Sequence, residues 1–85
     1  MVAGEFIITI GNEPTLVLEE NPERIQVIVI NVSDEVIYVT RGMDASVGTG
    51  EIVKSGESYT FENAYTGVIS AICESGGKDL KVFEL

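Results

Sequence analysis

Turn-forming residues interrupt this chain at short intervals from end to end, and the segments between them carry the side chains that suit a pleated sheet. Phe6 to Ile10 is followed by Gly11-Asn12-Glu13-Pro14, Thr15 to Glu19 by Asn21-Pro22, and Ile25 to Val32 by Ser33-Asp34-Glu35. Val36 to Arg41 runs into a glycine-rich loop, Gly42 to Gly50, and then come Glu51 to Lys54, a Ser55-Gly56 turn and Tyr59 to Phe61. A loop at Glu62-Asn63-Ala64 leads to Gly67 to Glu74, and Ser75-Gly76-Gly77-Lys78 turns the chain into Asp79 to Glu84. Val and Ile fill 21 positions and Thr six, against eight for Ala and Leu together, so local propensity favours strands. No window of eleven residues keeps an apolar helical period free of Gly or Pro, and no helix longer than one turn is expected.

Seven or eight short strands within 85 residues cannot form one open sheet without leaving an apolar face wet. The expected fold is all-β, a small antiparallel β-sandwich or jelly-roll-like barrel of 7–8 strands, with residues 1–85 forming a single domain. Two local hairpins are expected, Ile25–Val32 with Val36–Arg41 and Val68–Glu74 with Asp79–Glu84. The Gly42 to Gly50 loop reads as a flexible connection between sheets.

Alternation separates the two faces of each strand. Val27, Val29, Ile37, Val39, Ile69, Ala71, Cys73, Leu80 and Val82 form the inward set. Ile28, Ile30, Tyr38, Ile72 and Phe83 then point outward, where a solitary sandwich should carry polar residues. Either the same chain covers these strands on both sides, or the outward residues meet another subunit. Phe6-Ile7-Ile8-Thr9-Ile10 is apolar on both faces, so residues 1–10 are a core strand or an N-terminal arm that exchanges onto a neighbour's sheet edge. The candidate oligomer interface is therefore Ile28, Ile30, Tyr38, Ile72, Phe83, Phe6 and Ile8, and a cyclic trimer or dimer is expected.

The composition removes much chemistry. Without His or Trp and with one Cys, there is no His-centred acid/base pair, Cys/His zinc site or internal disulfide. Cys73 lies in the apolar stretch GVISAICES and reads as a small buried hydrophobe. Fourteen acids against five bases give a net charge of −9, and the bases are scattered singly, which disfavours nucleic acid. No run is long enough to cross a bilayer and MVAGEF lacks a signal-peptide pattern, so a soluble chain made in the cytoplasm is expected. The adjacent carboxylates Glu19-Glu20 and Asp34-Glu35 point to opposite strand faces and cannot converge as a glycosidase pair. Asp34 reads as a turn residue that bonds backbone N–H groups.

No D-x-D-x-D-G arrangement supports a calcium site, and the Gly42–Gly50 loop lacks the Gly-Lys-Ser/Thr ending of a phosphate cradle. No catalytic residue, cofactor or metal is expected. Arg41, Met43 and Asp44 on that loop are candidate partner contacts. Tyr38, Tyr59 and Tyr65 admit an alternative reading, a soluble module that binds a carbohydrate or a host protein.

From Arg24 onward an ordered pattern emerges: Val27 and Val29, Asn31-Val32-Ser33-Asp34, Ile37-Tyr38-Val39, Gly42, Ala45-Ser46, Gly50-Glu51-Ile52, Ser55-Gly56-Glu57, Tyr65 through Ile72, and Val82-Phe83-Glu84. The pattern resembles small all-β virion structural proteins of tailed phages and similar viruses, which decorate or cap a particle. The resemblance covers about 60 of the 85 residues and omits residues 1–20. It implies a non-enzymatic capsid decoration or head-surface protein that bridges neighbouring capsid subunits, with a tail or spike component as a variant, and localisation to the virion. It carries over no catalytic position. Asn31, Gly42 and Gly67 have folding roles independent of it: Asn31 bonds the following turn, and the glycines permit reversals or close packing.

Overall fold

The computed structural model describes residues 4–61 and 65–85; the loop expected at Glu62-Asn63-Ala64 and residues 1–3 lie outside the described residues. Eight strands follow in order: β1 (Gly4–Ile10), β2 (Thr15–Leu18), β3 (Val27–Asn31), β4 (Ile37–Arg41), β5 (Glu51–Val53), β6 (Ser58–Phe61), β7 (Ile69–Ile72) and β8 (Lys78–Glu84). They form two four-stranded antiparallel sheets, β1-β8-β3-β6 and β2-β7-β4-β5, called here the first and second sheet. The fold is an all-β sandwich, and the described residues contain no helix.

Its topology follows from one long folded ribbon. β4 pairs with β5, β3 with β6, β2 with β7 and β1 with β8, and all four ladders are centred on residues 43–45. Successive strands of each arm alternate between sheets, so the ribbon rolls up, and the roll adds the β3·β8 and β4·β7 pairs. This is the double Greek-key order of a jelly roll.

Two local expectations are corrected by this order. Ile25–Val32 does not form a hairpin with Val36–Arg41, because β3 belongs to the first sheet and β4 to the second. Val68–Glu74 and Asp79–Glu84 are separated in the same way, with β7 in the second sheet and β8 in the first. Alternation distinguishes inward from outward only, and it is identical whether two strands lie side by side or face each other across the core. A third correction concerns the Gly42–Gly50 loop, which closes the β4–β5 hairpin within one sheet and does not connect sheets. The loop is also anchored. Ala45 is buried, the Gly42 N–H donates to the Val68 carbonyl at 2.6 Å, and Ser46 and Thr49 are hydrogen-bonded to each other.

The inward set is as expected from alternation. Val27, Val29, Ile37, Val39, Ile69, Ala71, Cys73, Leu80 and Val82 are all fully buried in one core, joined by Ile10, Val53 and Phe61. Cys73 is a core residue whose thiol points at the Ile10 carbonyl, 3.4 Å away. Gly42 adopts φ +97°, and at Gly67 a Cβ would collide with the Tyr65 ring, so one glycine serves a reversal and the other a close approach.

Candidate functional site: two outer faces and an open edge

Two buried polar groups hold the ends of the roll, where the crossing connections leave backbone groups without ladder partners. Asn31, at the end of β3, is fully buried; its amide donates to the carbonyls of Glu35 (2.6 Å) and Val53 (2.8 Å), and its Oδ1 accepts from the Ser33 N–H. Asn31 and Ser33 thus cap the turn assigned above to Asp34, whose Oδ1 instead accepts from Lys78 Nζ at 2.7 Å. Lys78 thereby holds the Asp34 carboxyl below its ordinary range, and two bonds from Ser75 do the same for Glu35.

At the other end, just before β3, Arg24 is buried. Its Nε donates to Glu84 Oε2 (2.9 Å), and its remaining nitrogens donate to the carbonyls of Tyr65, Gly67 and Glu19. Arg24 is therefore structural, which sequence reasoning missed: three of its acceptors are backbone carbonyls, and a carbonyl leaves no mark in a sequence. Glu84, its ionic partner, is half-buried, and it also accepts from Asn21.

With those polar groups spent internally, the candidate interface residues sort onto separate surfaces. On the outer face of the first sheet, Phe83 lies between Glu5 and Ile28, and Lys81 between Ile7 and Ile30. Ile28, Ile30 and Phe83 are half-buried there, and Ile7 is 59% exposed. Lys81 lies over this patch, its Nζ 2.9 Å from Glu5 Oε2 and 5.4 Å from the Phe83 ring centroid. On the outer face of the second sheet, Tyr38 lies between Ile72 and Ile52, with Leu16, Ser70 and Thr40 in the neighbouring row. Ile52 is 55% exposed and Leu16 exposed, while Ile72 is 7% exposed and therefore already covered. Ser70 is fully buried, and its hydroxyl has no hydrogen-bond partner among the described residues.

Phe6 and Ile8 belong to the other face of β1, on the same side as buried Ile10. Ile8 packs on the core and helps to line a groove of about 540 Å³ between β1 and β2, with Leu16, Val17 and Leu18 as its apolar wall and Glu19, Glu20, Asn21 and Glu84 at its rim.

Met43 and Asp44, at the tip of the ribbon, are exposed. Arg41 sends its guanidinium over the rings of Phe61 and Tyr65, 4.9 and 5.4 Å from their centroids. Tyr59 and Tyr65 pack with Phe61 on the core, whereas Tyr38 is on the outer face of the second sheet. The three tyrosines therefore share no platform. Among the described residues no group of three or more His, Cys, Asp or Glu is placed to hold a metal ion. A scan against protein-family models, a search of curated proteins and a search of solved structures each gave no match.

Proposed function

We propose that this chain is a structural protein of a virus particle, a capsid decoration or head-surface protein that works as part of a symmetric assembly and bridges neighbouring subunits. The observation that carries this reading is the distribution of apolar surface. Ile7, Ile28, Ile30 and Phe83 on one outer face, and Ile52 and Leu16 on the other, are left partly or largely in water by a chain that has filled its core without them. A double Greek-key roll is among the folds that capsid components use, which supports the reading by analogy of fold alone. Bound at many lattice junctions, such a protein stabilises a shell by mass action and multivalency.

Mass spectrometry of purified particles from the source virus should find the chain at a fixed ratio to the major shell protein. Its absence from such particles would overturn the proposal.

A further inference from the structure

Four strands lie at the edges of the two sheets, and three of them are blunted. β2 is four residues long, follows Pro14 and shifts register between Leu16 and Leu18; β5 has three residues; β6 has four. β1 differs. Its ladder with β8 runs unbroken from Gly4↔Glu84 to Ile10↔Lys78, and it contains no proline, bulge or lysine to discourage pairing on its other side. Half of its backbone N–H and C=O groups face away from β8, where the described residues place no strand.

We propose that β1 pairs antiparallel with β1 of a second copy, joining two first sheets into one eight-stranded sheet across a two-fold axis. This deepens the assembly part of the function proposed above and is independent of the virion part. The choice of a second copy as occupant rests on charge and register. In a chain of net charge −9, β1 carries a single acid, Glu5, and Lys81 already neutralises it at 2.9 Å. The edges of β2, β5 and β6 are flanked by Glu13 and Glu19, by Glu51, and by Glu57. At β1 the one acid of the edge is already paired, whereas Glu13, Glu19, Glu51 and Glu57 form no ion pair among the described residues, so two copies meet the least like-charge opposition there.

Residues facing each other across an antiparallel pair must lie on the same face, so only registers that match odd with odd and even with even positions are allowed. The register that overlaps all seven residues sets Ile7 against Ile7 of the second copy, Phe6 against its Ile8, Glu5 against its Thr9 and Gly4 against its Ile10. No like charges face each other, and aromatic meets β-branched on the inner row. On the outer row the two Ile7 side chains meet at the axis and bring the Phe83, Ile28 and Ile30 patches of the two copies onto one face, with the Lys81–Glu5 pair of each copy between. A two-fold contact uses both copies' open edges at once, so assembly through β1 stops at the dimer.

Sedimentation velocity over a range of concentrations, with two cysteine variants, tests this. The wild-type chain is expected to sediment as a dimer at high micromolar concentration, and Ile7→Lys as a folded monomer by circular dichroism and sedimentation. Ile7→Cys places its thiols at the axis, where Cα atoms about 4.5–5.5 Å apart permit a disulfide, so mild oxidation should give a cross-linked dimer. Glu5→Cys places the same thiols about 14 Å apart and should not cross-link. Buried Cys73 keeps the wild type uncross-linked as the control. A wild type that stays monomeric, an Ile7→Lys dimer, or Glu5→Cys cross-linking as readily as Ile7→Cys would each overturn the proposal, whatever the particle measurement shows.

Discussion

At the Arg24 end of the sandwich a charged side chain is sealed in the interior by four hydrogen bonds, whereas on the outer face of the first sheet an isoleucine, Ile7, stands 59% exposed. Both invert the usual partition of polar and apolar residues, but for different reasons. The roll carries the chain repeatedly from one sheet to the other, and each crossing strands backbone carbonyls inside, at Glu19, Tyr65 and Gly67 on one end and at Glu35 and Val53 on the other. One arginine and one asparagine satisfy them. No such internal demand accounts for Ile7, Ile28 or Ile52. Buried polarity here is a cost of the topology, and exposed apolarity is the surface on which the proposed assembly rests.

The sharpest way to break that contrast is to remove the buried charge. Arg24→Ala leaves three interior carbonyls without their donor and Glu84 with Asn21 alone, and should cost about 3–5 kcal/mol in a denaturant titration. That is a large share of what a domain of this size has. Glu84→Gln retains an acceptor for Nε and should cost much less. Equal losses in the two variants would mean that the ion pair, and not the carbonyl set, holds this end. Asn31→Ala removes two donors and one acceptor, all neutral, and should cost about 2–3 kcal/mol.

These two residues also mark where the sequence was legible. Asn31 sits on the inward set at a strand end, next to the Ser33 turn it caps, so its role is local and follows from alternation and turn chemistry. Arg24 gathers partners at residues 19, 65, 67 and 84, and only the completed roll brings these together. The same limit explains the two misread hairpins. Strand existence and facing are properties of a segment, whereas the assignment of β3 and β4 to different sheets depends on ladders with β6, β8, β7 and β5. Of the candidate interface, alternation turned Ile28, Ile30, Tyr38, Ile72 and Phe83 outward as one set, but it could not show that Tyr38 and Ile72 lie on the other sheet, that Ile72 is already covered, or that Phe6 and Ile8 turn to the inner side of β1.

The ribbon tip offers an intermediate case, strain in place of a polar lock. Gly50 has φ +77°, and a Cβ there would lie 2.6 Å from the Val39 carbonyl oxygen, whereas Gly48, at φ +89°, faces open space. Gly50→Ala should therefore destabilise by about 1–3 kcal/mol, and Gly48→Ala by less, since it meets the conformational penalty alone. Similar losses for both would locate the cost in the backbone angle and not in the closeness of β4.

Ser70 tests the contrast from the opposite side, because it is a buried polar group that serves no carbonyl. If interior polarity is present only where the roll requires it, Ser70→Ala should be neutral or stabilising by up to about 1 kcal/mol. A loss would show that the hydroxyl has a role in the intact protein, on the same outer face as Ile52 and Leu16. Comparing the variant's melting temperature at low and high protein concentration separates an effect on the monomer from one on assembly.

The smallest effect concerns Asp34, Glu35 and Lys78, which bind the β3–β4 turn to the β7–β8 turn on the surface. Lys78 lowers the Asp34 carboxyl, Ser75 lowers that of Glu35, and Asp34 raises the Lys78 ammonium. A carboxyl held lower in the folded state than in the unfolded one stabilises above its unfolded value, and the contribution disappears as acid takes the pH down through the folded value. The raised lysine stabilises below its unfolded value and loses that contribution as the pH climbs through its folded one. Acidification also relieves the mutual repulsion of a chain with net charge −9, which works the other way, so the wild-type profile alone would mix the two effects. Subtracting the profile of Asp34→Asn isolates the pair: the difference in melting temperature should be present at neutral pH and vanish through the acidic carboxylate range. Added salt should shrink it as well, because all three groups are at the surface. A difference that survives both acid and salt would mean that the Asp34 side chain acts as a turn residue by bonding backbone N–H groups, the role its position after Asn31 and Ser33 predicts.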